Sequence, residues 1–254
     1  MGSLHFAMIS SGSRGNSTLI WDEADMIIID FGITLRKLTN RLKEMNLEMA
    51  EASLFISHEH TDHSRGIPYL SRHCPVEIYS REATLSALGI RDGYEIKEKT
   101  AIGNFSITSV PVSHDAADPV GYVLKWRGRK ITVVSDLGVV SERLLEEASG
   151  SDILAFEANH DVDMLKNGSY PLHLQRRILG RHGHLSNDQS AEAISQIASS
   201  GTHIVLTHLS KENNTPEKAT ETVKSYLDNR EIAYASLECA TQEHGTPVYC
   251  LKAD

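Results

Sequence analysis

A chain of 254 residues with 40% hydrophobic and 23% charged residues can bury a sizeable core and has the make-up of an ordinary globular protein. Its net charge of −9 argues against a broadly basic nucleic-acid-binding surface, and its longest apolar runs, such as Met26-Ile27-Ile28-Ile29, are strand-sized and too short to span a membrane. Three scattered cysteines (Cys74, Cys239, Cys250) lack CxxC spacing, and the first residues lack the basic and apolar regions of a signal peptide, so a reduced cytoplasmic protein without a disulfide framework is expected.

The chain opens with apolar Phe6–Ile9, then a small polar loop, Ser10–Ser17, then two further strand patterns at 18–21 and 26–29 that end in Asp30. Leu35, Leu38, Leu42 and Met45 recur at helical spacing. Leu54-Phe55-Ile56-Ser57 is another strand and runs directly into His58-Glu59-His60-Thr61-Asp62-His63. Further helices are expected near 82–88, 141–148, 187–199 and 216–229, and strands near 105–112, 119–126, 130–135, 152–157 and 203–207. Strands mixed with helices suggest sheets covered by helices on their outer faces. No repeat or low-complexity linker divides the chain, and residues 1–254 read as a single domain.

The histidines are more informative by position than by number. His58 and His60, two residues apart on an extended segment, point the same way. A tight turn after them would bring Asp62 and His63 toward a second, nearby ion. Imidazole and carboxylate suit zinc, manganese or iron. Two divalent ions would also add about four positive charges where an anion binds, which an acidic chain otherwise lacks.

This segment resembles the signature of the metallo-β-lactamase superfamily, and the remaining signature positions follow in order. Asp30 matches an early structural aspartate. His114, Asp136 and His208, each after a strand, match the later ligands. The resemblance implies a four-layer αββα sandwich, an α/β fold with two mixed sheets face to face and metals at one edge. It also implies that His58, His60 and His114 hold one divalent ion, that Asp62, His63 and His208 hold another, and that Asp136 bridges them. Asp62 would in addition steer the nucleophilic water.

Gly183-His184-Leu185-Ser186-Asn187 and Thr207-His208-Leu209-Ser210 together look like a segment of tRNA 3′-processing nucleases. There the first histidine supports the phosphate or leaving group, a catalytic role that the resemblance carries to His184. Ser186 would cap the helix that follows, whose N-terminus would also favour a phosphate. Across nearly the whole chain, the Ser11–Asn16 loop, the His58–His63 cluster, Val112–Ala116, Glu157–Asp161, Arg176–Leu179 and the His184 and His208 segments resemble the YycJ (WalJ) group of bacterial exonucleases. That resemblance implies 5′-to-3′ digestion of DNA. The residues themselves imply only a phosphodiester or similar anion, and a small phosphodiester or thioester stays open as the alternative substrate, as does a silent metal site.

Asn159 and His160 follow a strand and either line the cleft and touch substrate or stabilise a turn. Arg176 and Arg177 either position phosphates or form a solvated helix face. The Gly12–Asn16 loop reads slightly more as turn chemistry than as a phosphate contact. Only 71 residues separate Asp136 from His208, too few for the inserted domain of RNA-cleaving β-CASP enzymes.

Overall fold

The computed structural model describes residues 2–49 and 51–253. Its first half runs β1 (Ser3–Ser10), β2 (Ser17–Trp21), β3 (Met26–Ile29), α1 (Leu35–Glu44), β4 (Ala52–Phe55), α2 (Thr61–Ser64), α3 (Ile67–His73), β5 (Val76–Ser80), α4 (Glu82–Ala87) and β6 (Tyr94–Glu95). Then come β7 (Lys99–Ile102), β8 (Phe105–Pro111), β9 (Val120–Trp126), β10 (Arg129–Val134), α5 (Glu142–Ala148) and β11 (Ile153–Glu157). The last part holds α6 (Val162–Asn167), α7 (Leu172–Ile178), α8 (Asn187–Ile197), β12 (His203–Thr207), α9 (Pro216–Asp228), β13 (Ser236–Cys239) and β14 (Tyr249–Lys252).

The strands form two seven-stranded sheets, ordered β14-β1-β2-β3-β4-β5-β6 and β13-β12-β11-β10-β9-β8-β7. In each sheet one half is parallel: β3 to β6 in the first and β10 to β13 in the second. The central strands are apolar on both sides because each sheet is covered on both faces. Ile27, Ile29 and Phe55 face Tyr122, Ile131, Ile153 and Ala155 in the layer between the sheets. The alternate residues Ile28 and Leu54 pack outward with Leu38, Leu42 and Leu70 of α1 and α3. On the far side, Leu154, Phe156 and Leu206 pack with Ile194, Ile197, Val223 and Leu227 of α8 and α9. The period of two thus supplies two apolar faces from one strand and builds four layers, αββα. No helix among the described residues is long and apolar enough to cross a membrane.

All parallel strands of one sheet end at the same edge, the usual place for a site in such sheets. Asp30 follows β3, His58 lies just past β4, Asp136 follows β10, Glu157 ends β11 and His208 follows β12. Asp30, Asp136 and His208 all adopt the left-handed backbone, with φ of 59°, 57° and 54°. Each chain therefore turns sharply as it leaves its sheet.

Candidate metal centre

The site is assembled from loops of both sheets. β4 supplies the segment from His58 to His63, whose last residues wind into the single turn α2. Asp30 braces that segment. Its Oδ1 accepts from Ser57 N at 2.7 Å, and its Oδ2 accepts from Ser57 Oγ at 2.8 Å and from His63 Nδ1 at 2.7 Å. Because Ser57 Oγ donates its proton to Asp30, it can only accept at 3.0 Å from His58 Nδ1. His114 Nδ1 in turn meets Gly183 O at 3.2 Å. In His58, His63 and His114 the outer nitrogen is thus fixed by the protein, and Nε2 is left for the centre of the site.

Those inner atoms converge. The rings of His58, His60 and His114 lie 4.7–5.3 Å apart, centre to centre. Donor atoms of His58, His60 and His114 lie within 4.8 Å of one another, as do those of Asp62, His63 and His208, and of His58, His63 and Asp136. Asp136 Oδ2 is 2.9 Å from His63 Nε2, and Asp136 Oδ1 is 3.4 Å from His208 Nδ1. His58 Nε2 is buried without a hydrogen-bond partner, and Asp136 Oδ2 meets His63 Nε2 without the alignment of a hydrogen bond, although leaving such buried atoms unpaired is costly. A divalent cation would satisfy both, so the residues present fit the metal chemistry.

The electrostatics agree. Burial opposes the charge on Asp136, but His208 and His63 beside it hold its carboxyl well below the usual range. Burial also opposes charging of His208, yet Asp136 and Asp62 outweigh it and push the imidazole up to about 10. In the metal-free protein the charged form of His208 therefore adds stability that is complete below 6.5 and lost as pH rises through about 10. Metal ligation has the opposite sign, because it needs neutral imidazole. We expect metal uptake at pH 7 to release roughly one or two protons per chain, and affinity to rise with pH. Titration calorimetry in two buffers of different ionisation heat measures this. Uptake without proton release would mean that neither His208 nor His63 is a ligand.

A profile of the beta-lactamase superfamily domain matches residues 26–209. The exodeoxyribonuclease YycJ of Bacillus anthracis is 32% identical over 238 residues, covering 89% of this chain and 90% of that protein. The exodeoxyribonuclease WalJ of Streptococcus pneumoniae is 34% identical over 240 residues, covering 89% of each. The chain belongs to the metallo-β-lactamase superfamily, in the family of YycJ and WalJ. Among solved structures, the metallo-β-lactamase fold protein YhfI from Bacillus subtilis matches with a TM-score of 0.74 at 15% identity, over 98% of this chain and 100% of that one. The shared fold is the αββα sandwich, and membership of this superfamily makes the chain a metal-dependent hydrolase.

Not every residue singled out in the sequence lies where contact with a substrate would need it. His184 does: it is half-buried beside the cluster, with its ring 5.2 Å from that of His114 and 5.3 Å from that of His208. Asn159 lies behind the site, where its Nδ2 donates to His208 O at 2.9 Å. His160 is fully buried, and burial lowers its imidazole to about 4. Neither lines an open cleft. Arg177 pairs with Asp115, next to His114, whereas Arg176 is exposed without an ion pair among the described residues. Ser186 caps α8 in a capping box with Gln189. The N–H of Asn187 is spent on His160 O and that of Gln189 on Ser186 Oγ, so this helix start offers a phosphate little.

Three supporting residues were not assigned from the sequence. Glu157 is fully buried, and its Oε1 lies 2.7 Å from His184 Nδ1. Burial opposes protonation of His184, but Glu157 outweighs it and raises the imidazole. Glu157 was visible as one more acid closing an apolar strand, like Asp30 and Asp136. Asn16 donates from Nδ2 to Asp62 Oδ2 at 3.2 Å, and Ser11 Oγ accepts from His208 N at 2.8 Å. The Ser11–Asn16 loop therefore works as a turn that supports ligand-type residues. Gly12 and Gly15, with φ of 134° and 136°, permit its path.

Gly32 is the tightest point of this packing. A Cβ there would lie 1.6 Å from the carbonyl oxygen of Asp62, which only backbone movement can relieve. Gly32→Ala is expected to cost about 1–3 kcal/mol, or several degrees of melting temperature, and to lower turnover by displacing Asp62. Normal melting and turnover in that variant would show that α2 can shift freely.

Proposed function

We propose that this chain is a phosphodiester hydrolase of one domain that digests DNA from the 5′ end in the cytoplasm, using two divalent ions (zinc, manganese or iron). In this reading His58, His60 and His114 hold one ion, Asp62, His63 and His208 the other, and Asp136 lies between. When bound, such ions lower the pKa of water and offset the charge that builds up on the attacked phosphorus. Asp62, held by Asn16 Nδ2 at 3.2 Å and ionised despite its burial, accepts a hydrogen bond from the attacking water and aims it.

The observation that carries the reading is the Glu157–His184 pair beside the ligand cluster. Glu157 engages Nδ1 of His184 and favours its protonated form, so Nε2 is the nitrogen free to donate a proton. A sugar alkoxide is a poor leaving group and needs that proton. A thiolate, whose conjugate acid has a pKa near 8.5, leaves without one. The pair therefore favours a phosphodiester over a thioester. The names of the YycJ and WalJ relatives, both exodeoxyribonucleases, support DNA as the substrate. Arg176 is free to meet a substrate phosphate, with Arg177 held beside the site by Asp115. Asn159 supports the site from behind through His208, and His160 is buried, so neither is assigned a substrate contact.

The test is digestion of duplex DNA, labelled separately at the 5′ and 3′ ends, by manganese-loaded protein. Stepwise loss of the 5′ label supports the proposal. No digestion with manganese, zinc or iron, in protein that holds its ions, would point instead to a small phosphodiester.

A further inference from the structure

Beside the metal centre, a groove of about 380 Å³ runs between the first turns of α1 and α3. Ile33, Leu35 and Gly66 line it together with Arg36, Arg65 and Tyr69. Tyr69 is 62% exposed, although most aromatic rings of this chain are in the core. The Arg36 side chain is exposed and makes no ion pair or hydrogen bond among the described residues. The guanidinium of Arg65 donates only to main-chain oxygens, of Gly32 and Arg14, so no acid neutralises it. On a chain of net charge −9, an apolar groove bordered by unneutralised arginines needs an explanation.

The groove is also one packing layer from the proposed chemistry. Arg65 follows α2 directly, and Gly32, whose oxygen it binds, lies against the backbone of Asp62. An exposed aromatic face with guanidinium groups beside it is the pattern that receives single-stranded nucleic acid, with bases on the ring and phosphates on the cations. We propose that this groove holds the unpaired nucleotides next to the scissile phosphate, with a base on Tyr69 and the sugar-phosphate chain along Arg36 and Arg65. The proposal rests on the nucleic-acid reading above. It adds that the substrate strand leaves the metals past α1 and α3, separated from the partner strand.

The test is binding of metal-loaded protein to a fluorescent, phosphorothioate-linked oligothymidylate of twelve nucleotides, followed by anisotropy over a range of salt. Tyr69→Ala is expected to weaken binding by about 5- to 100-fold, and Tyr69→Phe, which keeps the ring, to restore it. Arg36→Ala is expected to reduce the slope of log affinity against log salt by about 0.7, the loss of one phosphate contact, which a change in folding alone would not produce. Wild-type affinity and slope in both alanine variants, with the wild type binding well, would overturn the groove and leave the nuclease reading intact. A wild type that neither binds nor cleaves any oligonucleotide, yet hydrolyses bis(p-nitrophenyl) phosphate, would overturn the nucleic-acid reading and the groove with it.

Discussion

Asp136→Asn is expected to remove catalysis, with turnover reduced by at least about 1,000-fold, or about 4 kcal/mol of barrier. Asp136 is the carboxylate common to both halves of the cluster, within reach of His63, His208 and His114. Its backbone is left-handed, at φ 57°, a conformation that asparagine tolerates better than most residues. The amide variant therefore keeps the turn and removes the charge. Metal analysis should find fewer than two ions per chain, while circular dichroism and the melting temperature show an intact fold. A folded variant with near-normal turnover would remove Asp136 from the mechanism altogether.

His184→Ala is expected to lower kcat by about 100- to 10,000-fold with little change in KM, the mark of a group used in the transition state. Glu157→Gln should move in the same direction by a smaller factor, because His184 stays but loses the charge that favours its protonated form. The decisive companion measurement is metal content. Donor atoms of Asp136, Glu157, His184 and His208 also lie within 4.8 Å of one another, close enough to hold an ion themselves. If His184 is the acid, both variants retain two ions. If either variant loses an ion in step with its activity, the pair is part of the metal site and the proton must come from elsewhere.

Asp30, Asp136 and His208 were legible because each stands where an apolar run stops. Met26–Ile29 leads to Asp30, Val133–Val134 to Asp136 and Ile204–Leu206 to His208, and strand ends of this kind are easy to find in a single sequence. Their supports were not. Ser11 and His208 are 197 residues apart, Asn16 and Asp62 are 46 apart, and Glu157 and His184 are 27 apart. A hydrogen bond across such distances leaves no local pattern. The same reasoning covers the fold. The central strands announce themselves by unbroken burial, whereas β5, β7, β13 and β14 are short, half-exposed and lack a long apolar run. Asn159 and His160 show the limit most plainly. Polar residues after a strand look like a cleft rim, but the chain turns inward there and buries both.

Six non-glycine residues among those described have positive φ, and Asp30, Asp136 and His208 are three of them. Glycine would take each of those turns at lower cost, since a side chain in that conformation costs on the order of 1 kcal/mol. The catalytic edge is thus poorly optimised for endurance and well optimised for aim. A lineage released from the need for this activity would be expected to drift toward glycine at Asp136 and His208, exchanging chemistry for a more heat-resistant scaffold.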